Sequence, residues 1–154
     1  LKWALRTAEM LKGYEVGWFE EALRPDALDD FCHLRRASPV PIAGGEVLTR
    51  RQSFIPWLTR GALDIVQPDV TKVGGISEQR RIAWMAYDCG VRYVGHGWNT
   101  ALGVAADLQM AAAFPEADLV EFIGGSPYVD GILAEPFALD AEGYLAIPEK
   151  PGLG

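Results

Sequence analysis

Five polar side chains stand at near-even intervals along this chain, each just after a short apolar run: Glu20, Glu46, Asp69, His96 and Glu121. The intervals are 26, 23, 27 and 25 residues. Glu20 and Glu46, if brought together, repel unless a cation lies between them. Hard oxygen donors with no Cys or His among them favour Mg2+ over zinc. The plainer alternative for either is a solvated loop carboxylate. Asp69 and His96 form a second pair. A carboxylate beside an imidazole fixes its tautomer and supports its protonated form, so the pair can take a proton from carbon or give one to a leaving group. Glu121, if protonated, can donate a hydrogen bond to a developing oxyanion. Lys72 is expected to face the Asp69 site, and Glu21 reads as a supporting neighbour rather than a ligand. The other histidine, His33, lies among Asp29, Asp30, Arg35 and Arg36 and reads as surface.

Such side chains need a frame that delivers them to one place. One strand, one helix and two loops take roughly 30 residues in an eight-unit barrel, close to the spacing seen. The expected strands are VGWF, PIA, LDIVQ, VRYVG and DLVE, alternating with helices. That alternation predicts a parallel sheet, and the fold class is α/β: a partial (β/α) TIM-type barrel of about five parallel strands. The opening LKWALRTAEMLKGY reads as a helix stopped by Gly13. Asp26 is the expected cap of a helix over ALDDFCHLRRA. A further helix is expected from about Arg50 to Thr59, stopped by Gly61. Gly74 and Gly75 lead into ISEQRRIAWMAYDC, with Ser77 near its cap, and Asn99 or Thr100 caps the apolar ALGVAADLQMAAAF. Beyond Glu121 the helical period is lost, and FALDAEGYLAIP predicts a hairpin turning at Glu142-Gly143. The expected division is barrel over 1–125 and tail over 126–154. Both ends read as cut, with no cap before Leu1 and a loop-like PGLG at the close.

Composition bounds the function. The chain has 154 residues and a net charge of −7, which argues against a nucleic-acid groove or an anionic membrane surface. An anionic small molecule is still accommodated if a divalent cation inverts the local field. Cys32 and Cys89 lack zinc-ligand spacing and read as reduced packing residues of a cytoplasmic protein. No apolar run approaches the ~18 residues of a membrane span. The glycine pairs at 44–45, 74–75 and 124–125 lack the form of a phosphate-binding loop.

The motifs WFEE (18–21), AGGE (43–46), DIVQPDVTKVGG (64–75), GHGWNT (95–100) and LVE (119–121) occur together, in order. In this the whole chain resembles the enolase superfamily, and within it the mandelate racemase subgroup of acid-sugar dehydratases, racemases and cycloisomerases. The resemblance implies a Mg2+ enzyme that abstracts the proton α to a carboxylate through an enediolate. It implies that Glu20 and Glu46 are the second and third metal ligands and that Asp69 and His96 are the dyad, with His96 the base or acid. Glu121 would be the carboxylate that hydrogen-bonds the substrate. Relatives of the muconate-lactonizing type carry lysine where Asp69 stands, so Asp69 favours the racemase and dehydratase branch. A first metal ligand is expected on a strand preceding Leu1, and a capping domain before that. The usual proline after WFEE is here Ala22.

The resemblance therefore predicts the C-terminal part of a (β/α)7β barrel, inactive alone. It belongs to a homo-oligomeric parent that turns over a small carboxylate, a sugar acid. Two other readings stay open: a barrel glycosidase with paired carboxylates, and an inert fragment that associates through an open sheet edge with a complementary half or a second copy.

Overall fold

The computed structural model describes residues 1–127 and 129–154. Helix α1 (Lys2–Leu11) leads through a 3-10 turn (Lys12–Tyr14) to β1 (Phe19–Glu20). There follow α2 (Leu28–Ala37), β2 (Ile42–Gly44), α3 (Arg50–Thr59), β3 (Ile65–Val66), a short α4 (Val70–Val73), α5 (Ile76–Asp88), β4 (Arg92–Tyr93) and α6 (Ala101–Ala113). The sheet order is β1-β2-β3-β4, every pair parallel, with Phe19 opposite Ile42, Ala43 opposite Ile65, and Ile65 opposite Arg92. A single parallel bridge, Gly95 to Val120, continues the order where a fifth strand was expected. The architecture is thus α/β with a parallel sheet, as a partial barrel requires. Its strands are two or three residues long, shorter than the apolar runs suggested.

Side chains that alternate along a strand point to opposite faces, and here they build two cores. Ile42 and Val66 join the large cluster of Ala4, Ala8, Phe31, Leu34, Phe54, Leu58 and Ile82 beneath the helices. Their neighbours Ala43 and Ile65 meet Val94 and Trp18 on the other face, where a barrel is lined. Helix α2 carries Asp29 and Asp30 in its first turn and Arg35 and Arg36 in its last, in the sense the helix dipole favours. Arg35 Nε bonds Asp64 Oδ1 at 2.8 Å while Asp64 Oδ2 accepts the Ile42 N–H at 2.9 Å. One ion pair therefore ties α2 to the entries of β2 and β3.

Several local expectations are corrected. The first helix ends at Leu11 and its 3-10 extension runs through Gly13, stopping at Glu15 in the left-handed region. Asp26 caps nothing: Ala27 is the N-cap of α2, and Asp26 pairs with Arg24 at 3.1 Å. Ser77 does lie near the start of α5, behind the N-cap Gly75, and Thr100 is at the N-cap of α6, but neither helix start has a side-chain cap bond. Cys32 is buried as expected, but Cys89 is exposed and is no packing residue. The expected hairpin reduces to one antiparallel bridge, Leu139 to Leu145, with its turn held by Asp140 Oδ1 accepting the N–H groups of Glu142 and Tyr144. The tail docks on α6, where Val129, Leu133, Phe137 and Leu145 pack against Ala101, Val104 and Leu108. Among the described residues, no helix is long and apolar enough to cross a membrane.

Candidate active site

The carboxyl ends of the parallel strands carry the five side chains. Glu20 closes β1, Glu46 follows β2 across Gly45, Asp69 and His96 lie three residues past β3 and β4, and Glu121 follows the Val120 bridge. Gly45 has φ 117° and so takes a backbone shape that L side chains avoid, which is what turns the chain back at Glu46.

Four of the five converge on the His96 ring. Nδ1 lies 2.9 Å from Asp69 Oδ2, and Nε2 lies 2.9 Å from Glu46 Oε2 and 4.0 Å from Glu121 Oε2. Asp69 is fully buried and caps α4, its Oδ1 accepting the Thr71 N–H at 2.8 Å and the Thr71 hydroxyl at 2.6 Å. Lys72, on that same short helix, sits 3.4 Å from Asp69 Oδ2 and 4.0 Å from Glu46 Oε1. Glu121 is pinned by the Gly97 N–H at 2.7 Å. A Cβ on Gly97 would fall 2.2 Å from the Glu121 carbonyl oxygen, so no other residue fits there.

The electrostatics follow from these contacts. Burial works to raise the Asp69 carboxyl, but the bonds from His96 and Thr71 and the Lys72 charge outweigh it, and its pKa falls well below the usual range. Burial likewise works to lower His96. The Asp69 bond and the charges of Glu46 and Glu121 outweigh that and the opposing Lys72 charge, leaving the imidazole raised above its ordinary value.

The fifth side chain, Glu20, lies to one side of this ring. Its Oε2 accepts from Gln67 Nε2 at 2.7 Å and Trp18 Nε1 at 2.9 Å. Between Glu20 and Glu46 stands Glu21, at φ 45°, with Oε1 accepting the Gly45 N–H at 3.0 Å. Its carboxyl is pushed up, first by burial and then by the charges of Glu46 and Glu20, with the Gly45 bond opposing. Like charges are gathered here, offset in part by Lys72 beside Glu46, and all the donors are hard oxygens, which fits Mg2+. The set is partial: among the described residues no three His, Cys, Asp or Glu side chains lie together so as to hold a metal ion.

Sequence reasoning passed over Trp18, Gln67, Thr71, Gln79 and Asp107. Gln67, Gln79 and Asp107 are buried polar residues. Asp107 alone carried a visible signal, as the one charge in the apolar helix ALGVAADLQMAAA. His33 is exposed on α2, away from these groups.

The Enolase C-terminal domain-like family model matches residues 1–154. The D-galactarolactone cycloisomerase of Agrobacterium fabrum is 37% identical over 160 residues, covering 98% of this chain and 42% of that protein. The D-xylonate dehydratase of Haloferax volcanii is 34% identical over 151 residues, covering 98% of this chain and 37% of that one. A solved mandelate racemase/muconate lactonizing enzyme-like protein from a Roseovarius species superposes with a TM-score of 0.91 at 32% identity, over 98% of this chain and 38% of that one. The chain thus spans about two fifths of the length of the relatives it matches.

Proposed function

We propose, for a chain that belongs to the enolase C-terminal domain-like family, that it carries the acid/base half of an enzyme removing the proton α to the carboxylate of a sugar acid. The reaction is dehydration or cycloisomerisation, because those are the activities named for its relatives. The observation that carries the reading is the His96 ring held between Asp69 and Glu46 at 2.9 Å on each side, with Glu121 at 4.0 Å.

Both oxygens of Asp69 are engaged, so it orients and charges the imidazole rather than titrating in its place. Nδ1 is committed to Asp69. Nε2 faces Glu46 and Glu121, and it is the atom that takes the α-proton while the bond's electron pair moves into the enediolate. The imidazolium can then return that proton to a β-hydroxyl leaving as water, or to carbon. Glu121, fixed by Gly97, presents a carboxylate oxygen to the same space and positions the substrate. Lys72 offsets the negative charge of Glu46 and Asp69. Glu20 and Glu46 would hold Mg2+, which when bound supplies charge stabilisation to the substrate carboxylate. A third ligand would come from outside the described residues, so turnover is proposed for the protein that includes it and not for these residues alone. A glycosidase reading is disfavoured because Asp69, Glu46 and Glu121 all face the His96 ring rather than standing as a free carboxylate pair. A cytoplasmic, homo-oligomeric parent, with residues 126–154 as a tail off the barrel, completes the proposal.

The test is solvent exchange. In D2O with Mg2+, the protein carrying this chain should exchange the α-hydrogen of its sugar acid, read by proton NMR across a panel of aldonic acids. His96→Asn should lose that exchange. A variant exchanging at the wild-type rate would move the base elsewhere.

A further inference from the structure

Behind the Asp69–His96 pair, on the side away from Glu46, lies a buried polar chain that the proposed reaction does not use. Asp107 on α6 is 2% exposed and Gln79 on α5 is 0% exposed. Gln79 Nε2 donates to Asp107 Oδ1 at 2.8 Å and to the Pro68 carbonyl at 3.1 Å. That same carbonyl accepts the backbone N–H of His96 at 3.2 Å. Pro68 directly precedes Asp69, so one oxygen joins the backbones of both members of the pair.

Asp107 also lies beside the other backbone. A Cβ on Gly95, the residue before His96, would lie 3.1 Å from Asp107 Oδ1 and 3.2 Å from the Tyr93 hydroxyl. The carboxyl therefore fills the space beside the segment carrying His96 and, through Gln79, is tied to the segment carrying Asp69. A carboxyl and an amide buried where α5 packs on α6 cost free energy that leucines would not. Such groups repay their burial by fixing one geometry.

We infer that Asp107 and Gln79 are positioning residues for the Asp69–His96 pair, a buried strut from α6 through α5 to the carbonyl that both strand ends share. The inference rests on the functional reading for its purpose, but not for its geometry. Burial holds the Asp107 carboxyl up at about 7, with Gln79 opposing and the Asp69 charge adding. The titratable groups facing it are Asp69, His96 and Tyr93. In its neutral form Asp107 gains an O–H. Asp107 Oδ2 and Gln79 Oε1 have no hydrogen-bond partner among the described residues, and the Asn99 amide lies beside the carboxyl and works to lower it. The Asn variant mimics that neutral form.

The test reads the pair's geometry in the full chain, without substrate. A histidine Nδ1–H bonded to a carboxylate gives a slowly exchanging, downfield proton signal, and with His33 exposed only His96 can supply it. Asp107→Asn keeps an acceptor for Gln79 and should keep that signal and the slow exchange of the His96 amide. Asp107→Ala and Gln79→Met should broaden the signal away and speed His96 amide exchange about tenfold or more. If the Ala and Met variants fold and keep both at wild-type values, the strut is overturned. If neither folds, Gln79→Asn decides, because it shortens the bridge and keeps the buried amide: a folded variant that loses both supports the strut, and one that keeps both overturns it. Absence of sugar-acid turnover would sink the functional reading and leave this result standing.

Discussion

The two sides of the site differ in how far they are finished. At the His96 ring the carboxylates are held: Asp69 is buried with both oxygens engaged, and Glu121 is locked on the Gly97 amide. Around Glu20 and Glu21 the carboxylates are more open, Glu20 is exposed, and Glu21 is raised partly by its acidic neighbours. Buried, fully bonded groups are preorganised and need no rearrangement to act. A cluster of like charges instead waits for a cation. On the proposed reading the proton-transfer half is complete among the described residues, and the metal half is not.

The sharpest break comes on the finished side. In the protein carrying this chain, His96→Asn should lower kcat by about 10³-fold or more, since general acid/base groups contribute ~10²–10⁴-fold. Asp69→Asn should cost less than that, because the imidazole itself remains. Equal losses on the two would mean that Asp69 does more than orient, and steady-state rates on one sugar acid decide it.

On the unfinished side, Glu20→Gln should act through Mg2+. Half-saturation for the metal should rise by about 10²-fold, with kcat largely restored at high Mg2+. Gln67→Leu, which removes the bond orienting Glu20, should raise it ~10-fold. Metal titration of activity measures both. A kcat that excess Mg2+ does not restore would place Glu20 in proton transfer and erase the distinction between the two sides.

How much of this was legible in the sequence follows the same division. The strand-end acids showed because each stands after an apolar run and at barrel spacing, and those are the properties that burial and the β/α repeat impose. Strand length did not show. Apolar runs such as LDIVQ continue past the ladder because Leu63 and Gln67 are buried on either side of the two paired residues. Helix α4 was missed because four residues before Gly74-Gly75 look like a turn. Asp26 was misread as a cap because Arg24, two residues before it, satisfies it instead. Gln79 was invisible because a polar residue in an amphipathic helix looks solvated, and only the packing of α5 on α6 buries it.

Stability against pH probes the buried layer. Asp107 is raised in the fold from an ordinary 3.8 to about 7, so the folded state holds a proton that the unfolded chain has released. Its contribution is neutral below the unfolded value and is lost as pH rises from about 4 to about 7. His96, also raised, contributes stability that is complete below its unfolded pKa and fades as pH rises through the folded one. Both make the chain less stable at pH 8 than at pH 5. A shift of this size, in which the bond from Gln79 is already counted, corresponds to on the order of 4 kcal/mol, and a buried amide in place of the carboxyl regains only part of that. Asp107→Asn should therefore recover about 2 kcal/mol at pH 8 and almost none below pH 4, read as urea midpoints. A flat wild-type profile would place Asp107 in contact with water.

The smallest effect tests the boundary between the two sides. Glu21 sits beside the Glu20–Glu46 pair with φ 45°, a strained shape for any residue but glycine, held by its bond to the Gly45 N–H. Glu21→Gln keeps an acceptor for that bond and removes one negative charge. It should stabilise the metal-free chain by less than about 1 kcal/mol, a gain that sets in above the unfolded pKa of Glu21 and is complete above its raised folded value. Loss of one nearby charge should also weaken Mg2+ binding, by about threefold or less, well short of the Glu20→Gln effect. Glu21→Gly would relieve the backbone but lose the bond, and its stability should fall between wild type and an Ala variant, which loses the bond and keeps the strain. Calorimetric titration of Mg2+ into Glu21→Gln settles the assignment. If its affinity falls as far as that of Glu20→Gln, Glu21 is itself a ligand, and the half of the site that looked short of donors already holds its third carboxylate.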